Sequence, residues 1–227
     1  MRTRRTARLV IALVGVVLGG VACSTTPAGS PVPSASAVQS ASGSGPSASL
    51  VAGPVVWPAP PDPMARAVQA GIKPGPKEYG TNHVHAHLDV FVDGSPVIVP
   101  AGIGINIDDP AVRRFDEADG SVAYGGIQLC NEPCISPLHT HDVTGIIHTE
   151  SADARLHTLG EFFIEWGVPL SASCVGEPCG PKVAVYVDGQ LQAGDPAAIQ
   201  LTDRMEIAIV IGTPPREIPR TADFSKA

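Results

Sequence analysis

Apolar and polar residues alternate most regularly over residues 83–92, where Val84, Ala86, Leu88, Val90 and Val92 occupy the even positions and the odd ones are mostly polar. A period of two predicts a half-buried β-strand. Asp93-Gly94 supplies the residue pair of a tight hairpin turn, and residues 96–99 its return strand. Val183–Val187 followed by Asp188-Gly189 repeats this theme, Met205–Ile211 predicts a third strand, and residues 146–150 predict a fourth. The clearest helix spans residues 158–166. Thr158 and Glu161 have capping-box spacing, and Leu159, Phe162, Phe163 and Trp166 fall on one face. A shorter helix should start at Asp62-Pro63, an N-cap followed by proline at the first position.

These elements predict an α+β, β-rich domain: a mixed sheet with hairpins and one main helix. The order hairpin, helix, strand, strand resembles the β-grasp domains of ubiquitin and the sulfur carriers. That likeness requires a long insertion, roughly 104–145, between hairpin and helix. The expected organisation is a signal segment (1–22), a low-complexity linker (23–61), and a short helix with a Pro/Gly lead-in (62–79). A His-rich globular domain (80–213) and a loose tail (214–227) follow.

The first 22 residues carry Arg2, Arg4, Arg5 and Arg8 ahead of an apolar run, residues 9–22. Fourteen apolar residues are too few to span a bilayer comfortably and suit the core of an export signal. Arg4-Arg5 is followed by Thr6-Ala7, a poor match to the apolar follow-on of twin-arginine signals. The run ends in Leu18-Gly19-Gly20-Val21-Ala22-Cys23, which resembles the lipobox of bacterial lipoproteins. Gly20 stands where that family usually has Leu, and Gly20-Val21-Ala22 also fits ordinary signal peptidase. The resemblance implies acylation of Cys23 and attachment to the cell membrane on its extracytoplasmic face. Residues 24–61 contain no charge and are rich in Ser, Ala, Pro and Gly, so they cannot bury enough surface to offset their chain entropy. They read as a tether.

Charge narrows the partners. Without residues 1–22, 11 basic residues face 22 acidic ones, a net charge of −11. That excludes nucleic-acid binding by phosphate neutralisation and attraction to anionic headgroups. All seven histidines lie between positions 83 and 157, and six form two clusters, His83/His85/His87 and His139/His141/His148. Residues i, i+2 and i+4 of a strand share a face and stand about 7 Å apart, so neighbouring imidazoles can meet one ion. The expected metal ligands are His85, His87, His139, His141 and His148, with His83, Asp89, Asp142 and Glu150 as further candidates. A solvated sheet face is the bland alternative. His157, alone at a helix start, reads as structural. Imidazole-rich sites suit copper and zinc, and the absence of methionine beside the clusters argues against a methionine-type Cu(I) carrier. His139-x-His141 resembles the cupin motif only in part, because no Glu follows at the expected spacing.

Cys130, Cys134, Cys174 and Cys179 remain, and export makes disulfides their default state, in any of three pairings. Cys130-x3-Cys134 also resembles the copper-binding pair of Sco-type delivery proteins, but the helix-rich thioredoxin pattern of those proteins is missing. There is no Gly-x-Ser-x-Gly, phosphate-loop or dinucleotide motif. The expected function is therefore an extracytoplasmic lipid-anchored metal-binding protein for storage, delivery or sensing, with a metal-donor or metal-acceptor protein as partner. A metal-dependent hydrolase and a metal-free interaction domain are the alternatives. Mass spectrometry of the membrane fraction should find a mature chain beginning at acylated Cys23, lost in Cys23→Ala; an unmodified, freely secreted chain would refute the anchor.

Overall fold

A computed structural model describes residues 55–227 apart from Glu177, Pro178, Pro181 and Lys226; the expected export signal, Cys23 and most of the expected linker lie outside the described residues. The elements run α1 (Pro63–Gln69), β1 (Asn82–Val92), β2 (Ser95–Val97), β3 (Arg113–Asp116), β4 (Val122–Gly125), β5 (Leu138–His139) and β6 (Ile146–Ser151). Then come α2 (Leu159–Trp166), β7 (Leu170–Ser171), β8 (Cys174–Val175), β9 (Val183–Val187), β10 (Gln190–Leu191) and β11 (Met205–Ile211). No described helix is long and apolar enough to cross a membrane.

The main sheet has the order β10-β9-β11-β1-β6-β5, with β2 also on β1. β1 and β11 are parallel at its centre; β2, β6 and β9 join them antiparallel. The fold is thus α+β and β-rich with a mixed sheet. Both Asp-Gly turns adopt positive φ at both residues (48° and 80° at Asp93-Gly94, 49° and 74° at Asp188-Gly189), the geometry that matches the twist of a two-residue hairpin. Their carboxylates accept from β11's flanks: Asp93 Oδ1 from Thr213 N, and Asp188 Oδ1 from Glu206 N, each at 3.0 Å.

Alternation decides what each face of the sheet does. Ala86, Leu88 and Val90 of β1, Ile207 and Ile209 of β11 and Ile147 of β6 pack with Leu159, Phe162, Phe163 and Trp166 of α2 in one core. The α2 N-terminus carries the full capping box between Thr158 and Glu161. Asp62, in contrast, makes no capping hydrogen bond at α1 and instead pairs with Arg66 at 3.6 Å.

Two boundaries differ from expectation. Packing reaches back into the expected linker: Trp57 meets Trp166 edge-on at 5.7 Å and accepts its indole N–H through the main-chain carbonyl at 3.0 Å. The tail forms no regular element, yet Phe224 lies against His87 and under Arg204, so aromatic and cation–π contacts hold it on the domain. The cysteines take the local pairing, Cys130–Cys134 and Cys174–Cys179. The first pair packs with Ile105 and Ile135 in a small second core.

The segment expected as an insertion between hairpin and helix adds β5 to the main sheet, while its β3 and β4 pair with each other in a separate two-stranded sheet. Its closest approach is at Gly104 (φ 71°), where a Cβ would collide with the Leu138 carbonyl and approach the Glu165 carboxylate at 2.8 Å. Gly104→Ala should therefore destabilise the fold by more than about 2 kcal/mol, lowering Tm by about 4 °C or more in thermal denaturation; an unchanged Tm would refute this packing.

Candidate metal centre

β6 lies between β1 and β5, and its register assembles the site. His148 pairs with His85 on one side and His139 on the other, so three imidazoles form one row across three strands. Glu150 pairs with His83 in the next row of the same face. Directly opposed residues in antiparallel strands bring Cβ atoms to about 4.5–5.5 Å, and the rings meet accordingly. Centroids lie 4.6 Å apart for His85–His148 and 5.4 Å, stacked, for His139–His148. His141 follows β5 and reaches the same cluster, 4.5 Å from His148 and 4.7 Å from His139.

Backbone carbonyls fix the tautomers of two rings. His139 Nδ1 lies 2.9 Å from the Ser136 carbonyl and His141 Nδ1 lies 2.6 Å from the Tyr124 carbonyl. A carbonyl can only accept, so each Nδ1 carries the ring's proton and each Nε2 of the neutral ring presents a lone pair. Those two Nε2 atoms face each other at 3.2 Å. Two lone pairs at that distance repel unless a cation lies between them. Tetrahedral coordination at Zn–N distances of about 2.0–2.1 Å has an N···N edge of about 3.3 Å.

Burial favours the neutral form of His139, His85 and His148. Desolvation, then the neighbouring His141 and His148, hold His139 well below the usual histidine range. Burial, then His148 and His83, push His85 down to about 4. His148 is also lowered, chiefly by burial, even though Glu150 opposes the shift. Burial alone would raise Glu150, but the hydrogen bond from His148 and the histidines around it outweigh burial and favour the carboxylate. Its Oε1 is 3.1 Å from His83 Nε2 and 3.5 Å from His148 Nδ1.

The expected ligands do not all converge. His139, His141, His148 and Glu150 each offer a ligand atom within 4.8 Å of the others, as do His83, His85, His148 and Glu150. His87 and Asp89 fall outside both sets and group with Glu206 instead. His87 Nε2 is 2.7 Å from the Thr144 carbonyl and its Nδ1 is 2.8 Å from Glu206 Oε2, so both ring nitrogens face acceptors. Burial would lower this ring, but the hydrogen bond and charge of Glu206, with Asp89 and the carbonyl, leave it raised. It is an ion-pair partner, one residue pair too far along β1. Asp142 Oδ1 accepts the Thr144 N–H at 2.9 Å and shapes the turn before β6. His157 is buried and pairs with Glu161, a structural role in keeping with its isolation in sequence.

Three contributors carry no sequence signal. Glu78, in the Pro/Gly lead-in, has Oε1 3.7 Å from His141 Nε2, and burial followed by the charge of Glu150 raises its carboxyl. Glu165 of α2 accepts from Ser136 Oγ at 2.6 Å, in the residue whose carbonyl holds His139. Tyr124 acts through its main chain.

Among known proteins, no family model, curated protein or solved structure matches this chain. The site's chemistry is therefore read from its own geometry. Because the folded His85 sits near 4 and the unfolded ring near 6.5, the unfolded chain binds the extra proton, and this ring destabilises the fold as pH falls from about 6.5 towards 4. Nitrogen-detected NMR of metal-free protein should find His139 and His141 as Nδ1–H tautomers and His85 still neutral at pH 5; an Nε2–H proton on both facing rings, or an ordinary His85 midpoint, would contradict the geometry.

Proposed function

We propose that this chain is an extracytoplasmic, lipid-anchored protein that binds a transition metal ion, copper or zinc, for storage, delivery or sensing. His139, His141 and His148 supply imidazole nitrogens and Glu150 a carboxylate. The observation that carries the reading is the pair of Nε2 lone pairs facing each other at 3.2 Å, each ring locked by a carbonyl on its other nitrogen. Such outer partners orient metal-binding histidines and raise their basicity. The buried rings are already neutral at pH 7, so binding there displaces few protons. The lipobox-like junction at Cys23 and the charge-free tether support the location. In that setting a soluble or membrane protein would donate or accept the ion.

One observation favours a second reading, a metal-dependent hydrolase. A shallow cavity of about 450 Å³ opens beside the cluster, lined in part by Glu78, Tyr124, His141 and Asp142. An ion held by His139 and His141 could keep an open position there, as turnover requires. Asp142 belongs to its turn and Glu150 to the ligand set, so Glu78 would be the carboxylate nearest a bound water.

The test is calorimetric titration of tag-free, metal-free protein with Zn(II) and Cu(II). His139 is fully buried, so His139→Ala would also leave a cavity. His141, partly exposed, is the cleaner position. Wild type should bind at neutral pH, and His141→Ala should lose at least about tenfold in affinity while keeping its Tm. Absence of binding in wild type, or unchanged affinity in the variant, would refute the reading, and ester or phosphoester turnover by the loaded wild type would move it to the hydrolase.

A further inference from the structure

His148 and Glu150 belong to two ligand sets at once. One is completed by His139 and His141, the other by His83 and His85. Five imidazoles and a carboxylate are more donors than one tetrahedral ion accepts. They are also distributed unequally in space. His83 and His85 come from β1 and His139 from β5, strands on opposite sides of β6, with His141 following β5. Adjacent strands run about 4.8 Å apart, so the two outer strands are separated by about 10 Å with β6 between them. His148 and Glu150 project from that middle strand and face both neighbours.

Two buried ring nitrogens of the cluster are poorly satisfied. His148 is only 5% exposed, yet its Nδ1 meets only the Glu150 carboxylate, at 3.5 Å, and the buried Nε2 of His85 makes no hydrogen bond. Burying a polar atom without a partner is costly, and an ion at each is one way to satisfy them. The 3.1 Å separation of His83 Nε2 and Glu150 Oε1 is close to the ligand–ligand edge described for His139 and His141.

We propose that the centre holds two metal ions, one on His139 and His141 and the other on His83 and His85, bridged by the Glu150 carboxylate with His148 at their boundary. A carboxylate reaches two ions through its two oxygens, and paired ions in such centres stand about 3.5–4 Å apart. The first ion is the one proposed above, so this inference rests on that reading and adds a second site and a bridge. His83, half exposed at the edge of the cluster, is the entry side of the second site.

The ratio of metal to protein after dialysis against excess Zn(II), and separately Cu(II), should be two in wild type. It should fall to one in the double variant His83→Ala/His85→Ala, with the remaining ion still lost on adding His141→Ala. Two Cu(II) ions at such a separation couple magnetically, so the wild-type paramagnetic resonance signal should integrate to well below its copper content. Glu150→Gln should restore a full uncoupled signal or lose one ion. Saturation at one ion in wild type, with a full-intensity signal and no change in His83→Ala/His85→Ala, would overturn the two-ion proposal and leave the single site standing. No ion at all would overturn both readings.

Discussion

The pleat of β1 is the constraint on which the rest of the molecule depends. Ala86, Leu88 and Val90 enter the core beneath α2, so His83, His85 and His87 must stand on the other face. The parallel pairing with β11 and the antiparallel pairing with β6 hold that register from both sides. A slip of one residue would bury three imidazoles among Phe162, Phe163 and Trp166 and expose the aliphatic row. The apolar face therefore fixes where the histidines point before any histidine makes a contact of its own.

The second layer of order comes from backbone acceptors. His139 and His141 are positioned by the Ser136 and Tyr124 carbonyls, and Ser136 in turn bonds Glu165 on α2. Burial raises Glu165 well above the usual carboxyl range, which favours its uncharged form in this chain of contacts. Helix, loop and strand thus all bear on two nitrogen atoms. The same logic explains His87. Identical in spacing to His85, it meets Glu206 across the β1–β11 pair where His85 meets His148 across β1–β6, and Glu206 shifts it towards the protonated form while burial and His148 shift His85 away from it.

Much of this was legible in local sequence. Alternation marked β1, short apolar runs marked β6, β9 and β11, the Asp-Gly pairs marked both hairpins, and Thr158 with Glu161 marked α2. The histidine clusters were visible because i, i+2 spacing needs no knowledge of the fold. What stayed hidden depends on partners far away in the chain. β5 has two residues, too few for any period, and exists because β6 offers a free edge. β3 and β4 are short and exposed or half-buried, so their residues show no alternation, yet β4 supplies the carbonyl that holds His141. Glu78 and Glu206 are single acids in unrelated segments, and only the register places one beside His141 and the other beside His87. Trp57 lies in a stretch whose composition argues for a tether, and its ring contact and hydrogen bond with Trp166 anchor the end of that stretch.

The donor set also bears on the choice of ion. Imidazole nitrogens disfavour calcium and magnesium, which prefer oxygen ligands, and leave zinc, copper and nickel. Between copper and zinc, two tendencies oppose each other. Intrinsic affinity places Cu(II) above Zn(II). Geometry acts the other way: cis nitrogens of a square-planar ion at bonds of about 2.0 Å lie about 2.8 Å apart, and a tetrahedral edge is about 3.3 Å. The His139–His141 separation of 3.2 Å is nearer the tetrahedral value. Closing it would pull one ring from its carbonyl, at 2.9 or 2.6 Å, and His139 is enclosed on every side. A bite held by backbone hydrogen bonds resists that adjustment, so in the proposed centre shape would favour Zn(II) and partly offset the higher intrinsic affinity of Cu(II).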